Sequence, residues 1–157
     1  MTRLSTLFFI LISTISYGQE NLTDSLYQEA FRKFESQIPE YYTKYSVGDA
    51  AFQNIYVQEN RYMSVYPDTI HGRAVIVLTS KNYAKHYRQN GGKLIQVEIR
   101  AIQTHQDRLG IAFIPYHGSL RKKKEVDLYL TDWTNVYFRF NSESEKWEFD
   151  HVENAGI

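Results

Sequence analysis

The residues of this chain able to move protons are its five histidines, His71, His86, His105, His117 and His151, and the carboxylates on strand-like stretches near its end, Asp132 and Glu153. A carboxylate in an apolar pocket ionises less readily than in water. Asp132 or Glu153 would then act as a base near neutral pH, with His151 or His117 as its partner. Other chemistries find less support. The histidines form no His-Glu-x-x-His pattern and no close pair, and the chain has no cysteine, which removes thiolate ligands and a thiol nucleophile. A phosphate loop, a dinucleotide fingerprint and a Gly-x-Ser-x-Gly elbow are all missing, so no cofactor is expected. His117-Gly118-Ser119 is read as a turn after a strand, and Asn21-Leu22-Thr23, although a glycosylation triplet, as a helix cap.

Which of these residues meet depends on the elements that carry them. From Asn21 to Ile38 the apolar residues Leu22, Leu26, Tyr27, Ala30, Phe31, Phe34 and Ile38 recur at three and four, predicting an amphipathic helix. Asn21 or Thr23 caps it and Pro39 ends it. Tyr41 to Ala51 reads as irregular or as a second short helix, and Phe52 to Tyr66 as strand-like with a break at Glu59-Asn60. Ala74 to Leu78 is a short apolar strand, followed by a brief helix from Lys81 to Gln89 that Ser80 caps and Asn90-Gly91-Gly92 stops. Ile95, Val97, Ile99 and Ala101 then alternate with polar residues, as do Val126, Leu128 and Leu130, and Val136, Phe138 and Phe140. The fold class expected is α+β: an antiparallel meander of about four to six strands, its outer face wet, packed on an N-terminal helix and one short helix.

Side chains alternate faces along a strand, so parity assigns them. The even residues from Val126 to Phe140 share the inner face, with Asp132 and Thr134 among them, and a kink is expected near Asp132. Pairing Phe140 with Trp147 brings Phe138 to Phe149, Val136 to His151 and Thr134 to Glu153. In the preceding hairpin Ile99 meets Phe113 and Ile95 meets His117. The inner face thus turns polar at one end, where His117, Asp132, Thr134, His151 and Glu153 would line a ligand pocket.

Composition narrows the partners. Lys and Arg number 18 and Asp and Glu 18, without the basic excess that steers a chain to nucleic acid or anionic lipid. The basic run Arg121 to Lys124 is followed at once by Glu125 and Asp127 and reads as a solvated loop. With 13 Tyr and 9 Phe the chain suits half-buried strands. Arg3, the apolar run Leu7 to Ile12 and the small residues Ser16-Tyr17-Gly18 have the layout of a secretory signal peptide, too short to cross a bilayer, which needs ~20 apolar residues. The expected organisation is a signal peptide over 1–18 and a single domain over 19–157, exported to the periplasm or secreted, with no later membrane span.

The order of helix, strands, short helix and meander resembles the ketosteroid-isomerase-like cone folds, and also the cystatin-like folds in which a sheet wraps a helix. The resemblance rests on element order across residues 19–157. It implies a scaffold that hosts isomerases, dehydratases and non-catalytic binding modules, and it carries over no catalytic residue. The function expected is a small exported binding or interaction module, for a small ligand or a protein partner. The alternative is a cone-type acid–base enzyme or carrier for a small apolar ligand.

Overall fold

A computed structural model describes residues 22–42, 52–122, 124–130 and 132–156. The expected signal peptide, the expected cap at Asn21 and the stretch over 43–51 expected to be irregular or a second short helix lie outside the described residues.

Helix α1 occupies 22–37. Leu22 is already helical, so Thr23 sits inside the helix and does not cap it. Leu26, Tyr27, Ala30, Phe31, Phe34 and Ile38 are buried, as the spacing predicts, whereas Leu22, expected on the same face, is exposed. Pro39 has no N–H to continue the ladder, and its ring crowds the carbonyl four residues back. The chain widens there into a π turn, Ile38–Tyr42, and buries Tyr42 one turn further on.

The strands are β1 (Asn54–Gln58), β2 (Thr69–Ile70), β3 (Arg73–Leu78), β4 (Lys93–Ile99), β5 (Gln103–His105), β6 (Arg108–Leu120), β7 (Val126–Leu130), β8 (Asp132–Asn141) and β9 (Lys146–Gly156). Helix α2, Tyr83–Gln89, lies between β3 and β4 with Asn82 at its N-cap position, two residues beyond the expected Ser80. All nine strands form one sheet in the order β2-β3-β1-β4-β6-β8-β9, with β5 and β7 attached to β6. The α+β class is as expected, but the sheet is mixed and not a pure antiparallel meander. β1 runs parallel to both β3 and β4, so the chain leaves β3, passes through α2 and re-enters the sheet beyond β1. A crossover between parallel strands needs a connection of this length, which is what α2 supplies. Tyr62, Met63 and Val65, read as strand, lie in the loop after β1. Asn60 holds that loop, its Oδ1 accepting the Tyr62 and Met63 N–H groups at 2.8 and 3.2 Å.

One face of the sheet carries the main core. Phe113 of β6 stacks on Phe34 at 4.9 Å and on Phe31 at 5.8 Å, joined by Ile55, Val57, Ile95, Val97, Ile99, Ile111, Val136 and Phe138. Burying one such side chain contributes ~1.5–3 kcal/mol. The opposite face, expected wet, is covered in part by α2: Tyr87 packs there with Tyr56, Leu78 and Leu94. Tyr87 lies so close to β6 that a Cβ on Gly118 would stand 1.8 Å from its hydroxyl oxygen. β3 is partly covered on both faces, Val75 against the main core and Ile76 and Leu78 against the second, which accounts for its unbroken run Ala74-Val75-Ile76-Val77-Leu78.

Two irregularities change the expected parity. Against β6, Phe113 pairs with Thr134 but Tyr116 pairs with Leu130, so β7 and β8 carry one residue more than β6 across the kink expected near Asp132. Val126, Leu128 and Leu130, expected inside, therefore lie on the α2 side of the sheet, opposite Leu120, Gly118 and Tyr116. In the last hairpin, Phe140 meets Trp147 and Phe138 meets Phe149 as expected, but a bulge follows. Asp150 is the extra residue, and beyond it Tyr137 pairs with His151, Val136 with Val152 and Thr134 with Asn154. The expected pairs Val136–His151 and Thr134–Glu153 do not form. The β4–β6 register, Ile99 with Phe113 and Ile95 with His117, is as expected.

Candidate functional site

The bulge separates the five residues assigned to one pocket. Thr134 is fully buried on the inner face, its hydroxyl 2.6 Å from the Tyr42 hydroxyl and 2.7 Å from Asn154 Oδ1. Asn154 in turn donates to Gln37 Oε1 at 2.9 Å. Asp132, half-buried two residues away, accepts the Tyr41 hydroxyl at 3.3 Å. This polar end of the interior is thus satisfied by the π turn that closes over it. Burial, only partly offset by the bond to Thr134, holds the Tyr42 hydroxyl proton well above the ordinary tyrosine range. His117 shares the inner face but sits four residues further along β6 than Phe113, the partner of Thr134, or ~13 Å at strand rise.

His151 and Glu153 lie on the other face, around Tyr137. The His151 ring stacks on Tyr137 at 4.7 Å, His105 meets Tyr137 edge-on at 5.7 Å, and Asp150 Oδ2 lies 2.9 Å from His151 Nδ1. That hydrogen bond lowers the Asp150 pKa, while burial followed by the Glu153 carboxylate raises that of Tyr137. Arg108 Nε stands 3.0 Å from Asp150 as an ion pair, at an angle that makes no hydrogen bond. The structure brings together Asp132 with Thr134, and His151 with Glu153, and leaves His117 apart.

Sequence reasoning passed over Glu35, which is 3% exposed. Its carboxylate takes Arg73 Nε at 3.1 Å and also pairs with His71, while Arg73 donates to the Phe52 carbonyl. These bonds tie α1 to the β2–β3 hairpin. A signal was present: Glu35 follows Phe31 by four and precedes Ile38 by three, a charge on the apolar stripe.

A different place has the form of a ligand seat. β1 and β3 run side by side, and at their ends the Glu59 N–H donates to the Leu78 carbonyl at 2.9 Å. From there the two connections part. The loop after β1 sends Tyr62, Met63 and Tyr66 into the α1 core, whereas the chain after β3 enters α2 on the opposite face. Parallel strands that continue to opposite faces open a crevice beyond their carboxyl ends, where α/β sheets bind ligands. Here the crevice is an open cleft of about 300 Å³, walled by Leu78, Val126 and Tyr83 and edged by Gln58, Glu59 and Gln96. The Tyr83 hydroxyl is tethered to the Lys124 carbonyl at 2.5 Å, which fixes the ring. Gln96 is 8% exposed; its Oε1 accepts the Tyr87 hydroxyl at 2.9 Å, and its Nε2 has no partner among the described residues. The cleft contains no histidine and no cationic side chain among the described residues, and Arg61, beyond Glu59, lies over the Tyr62 ring at 5.6 Å. Among the described residues no group of three His, Asp or Glu converges on a metal position, and no helix is long and apolar enough to cross a membrane.

Comparison with protein-family models, curated proteins and solved structures finds no match.

Proposed function

We propose that this chain is an exported, non-catalytic binding module whose ligand seat is the cleft at the ends of β1 and β3. The observation that carries the reading is the bulge at Asp150. It sets His151 and Glu153 on one face of the sheet and Asp132 and Thr134 on the other, so the five polar residues do not line a common pocket. The cleft, by contrast, gathers hydrogen-bonding groups without a base paired to a nucleophile. Export rests on the layout of residues 1–18. The test is a screen of mixed small fragments against isotope-labelled protein, read residue by residue by NMR. Shifts gathered on Glu59, Thr79, Tyr83 and Gln96, unchanged in Asp132→Ala and His151→Ala, are the expected result. Shifts gathered instead around Asp132, Thr134 and His117, and lost in Asp132→Ala, would favour the alternative, the cone-type enzyme.

A further inference from the structure

Resting on that reading of the cleft, we infer that its ligand is a neutral polyhydroxylated ring, a pyranose. Because Tyr87 occupies Gln96 Oε1, the face that Gln96 offers the cleft is a donor. The Glu59 carboxylate offers acceptor oxygens, and it has no ion-pair partner among the described residues. A hydroxyl is the group that serves both, accepting from the amide while donating to the carboxylate. Gln58 offers a further donor and acceptor, and the Ser80 hydroxyl can act as either.

Charge excludes the other common ligands. A phosphate or carboxylate would meet Glu59 with no cation among the described residues of the cleft to offset it. An ammonium group would satisfy Glu59 but leave the Gln96 donor facing another donor. The apolar wall of Leu78, Val126 and the tethered Tyr83 ring suits the C–H face of a sugar, whose hydroxyls then reach the polar edge. The volume is at the small end of ligand pockets, ~300–1,000 Å³, and matches a monosaccharide to a disaccharide. The buried Tyr87 holds the Gln96 amide in place before a ligand arrives, which limits the ordering that binding must impose there.

The experiment titrates methyl β-D-glucopyranoside, methyl α-D-mannopyranoside, gluconate and glucosamine into labelled full-length protein. Saturable shifts of the Gln96 side-chain amide and the Thr79–Tyr83 backbone with a neutral pyranoside, at least tenfold weaker with gluconate, are expected. Glu59→Gln, at an exposed position, should weaken the pyranoside by about tenfold with the melting temperature unchanged. Gln96→Leu should abolish the binding, and Glu59→Gln remains decisive if that variant fails to fold. Gluconate binding as well as the pyranosides, or a Glu59→Gln variant that binds equally well, overturns the inference. If other fragments shift the cleft and neither pyranoside does, the sugar assignment falls and the cleft stands; if nothing shifts it, both fall.

Discussion

Thr134 holds its hydroxyl between the Tyr42 hydroxyl and the Asn154 amide oxygen in the dry interior, and removing it strands both. Thr134→Val keeps the shape but leaves the Tyr42 hydroxyl and Asn154 Oδ1 short of a partner, at a cost of ~1–3 kcal/mol. Chemical denaturation of the variant measures it, and an unchanged midpoint would contradict the network. Gly118→Ala is a sharper test of packing, because Tyr87 is fully buried and cannot swing aside from the new methyl. We expect ~1–3 kcal/mol of destabilisation from overpacking, seen in the same denaturation experiment. Neither position declares itself in the sequence. Thr134 has the parity of an inner residue, but the partners that make it a node come from Tyr42, Asn154 and the turn after Pro39, none of them near in the chain. Gly118 looked like part of a turn because the ring that demands it sits on α2, on the face assumed to be wet.

At the scale of elements, local pattern located most strands, while the skipped residues decided their faces. Trp147 and Phe149 are odd, Val152 is even, and that change of phase marks the bulge in the sequence itself. A strict period of two read through it and turned His151 inward. The parallel placement of β1 was illegible for a different reason: nothing in Asn54–Gln58 states that its neighbours are strands that come later, joined across it by α2. The candidate cleft was missed with it, since it exists only where β1 and β3 end together. The bulge supports a paired prediction. Deleting Asp150 restores regular alternation, with Phe149 inward, His151 outward and Val152 inward, so the variant should fold with a loss of at most ~1–2 kcal/mol. Deleting Val152 instead turns Glu153 toward Val136 and should prevent folding. Circular dichroism melts separate the two, and equal damage from both deletions would contradict the register.

For the molecule as a whole, the two cores depend on tyrosines that must stay neutral. Burial raises the Tyr27, Tyr42, Tyr66 and Tyr87 hydroxyls, Tyr87 up to about 12. An unfolded tyrosine ionises near ~10, so between those values the unfolded chain gives up protons that the folded chain keeps. Stability from these groups is therefore intact below ~10 and falls as pH rises toward 12. Tyrosinate absorbance and far-ultraviolet dichroism followed together in alkali should show the buried hydroxyls ionising in step with loss of structure. Free titration near 10 with the fold intact would contradict the packing.

The rings that α1 presents find their main partner, Phe113, and the strand bearing Val136 and Phe138, only after most of the chain has been made. A nascent chain emerging amino end first would thus hold its greasiest helix bare until synthesis is nearly over. Any shortened product lacking β8 would need a chaperone to stay out of aggregates.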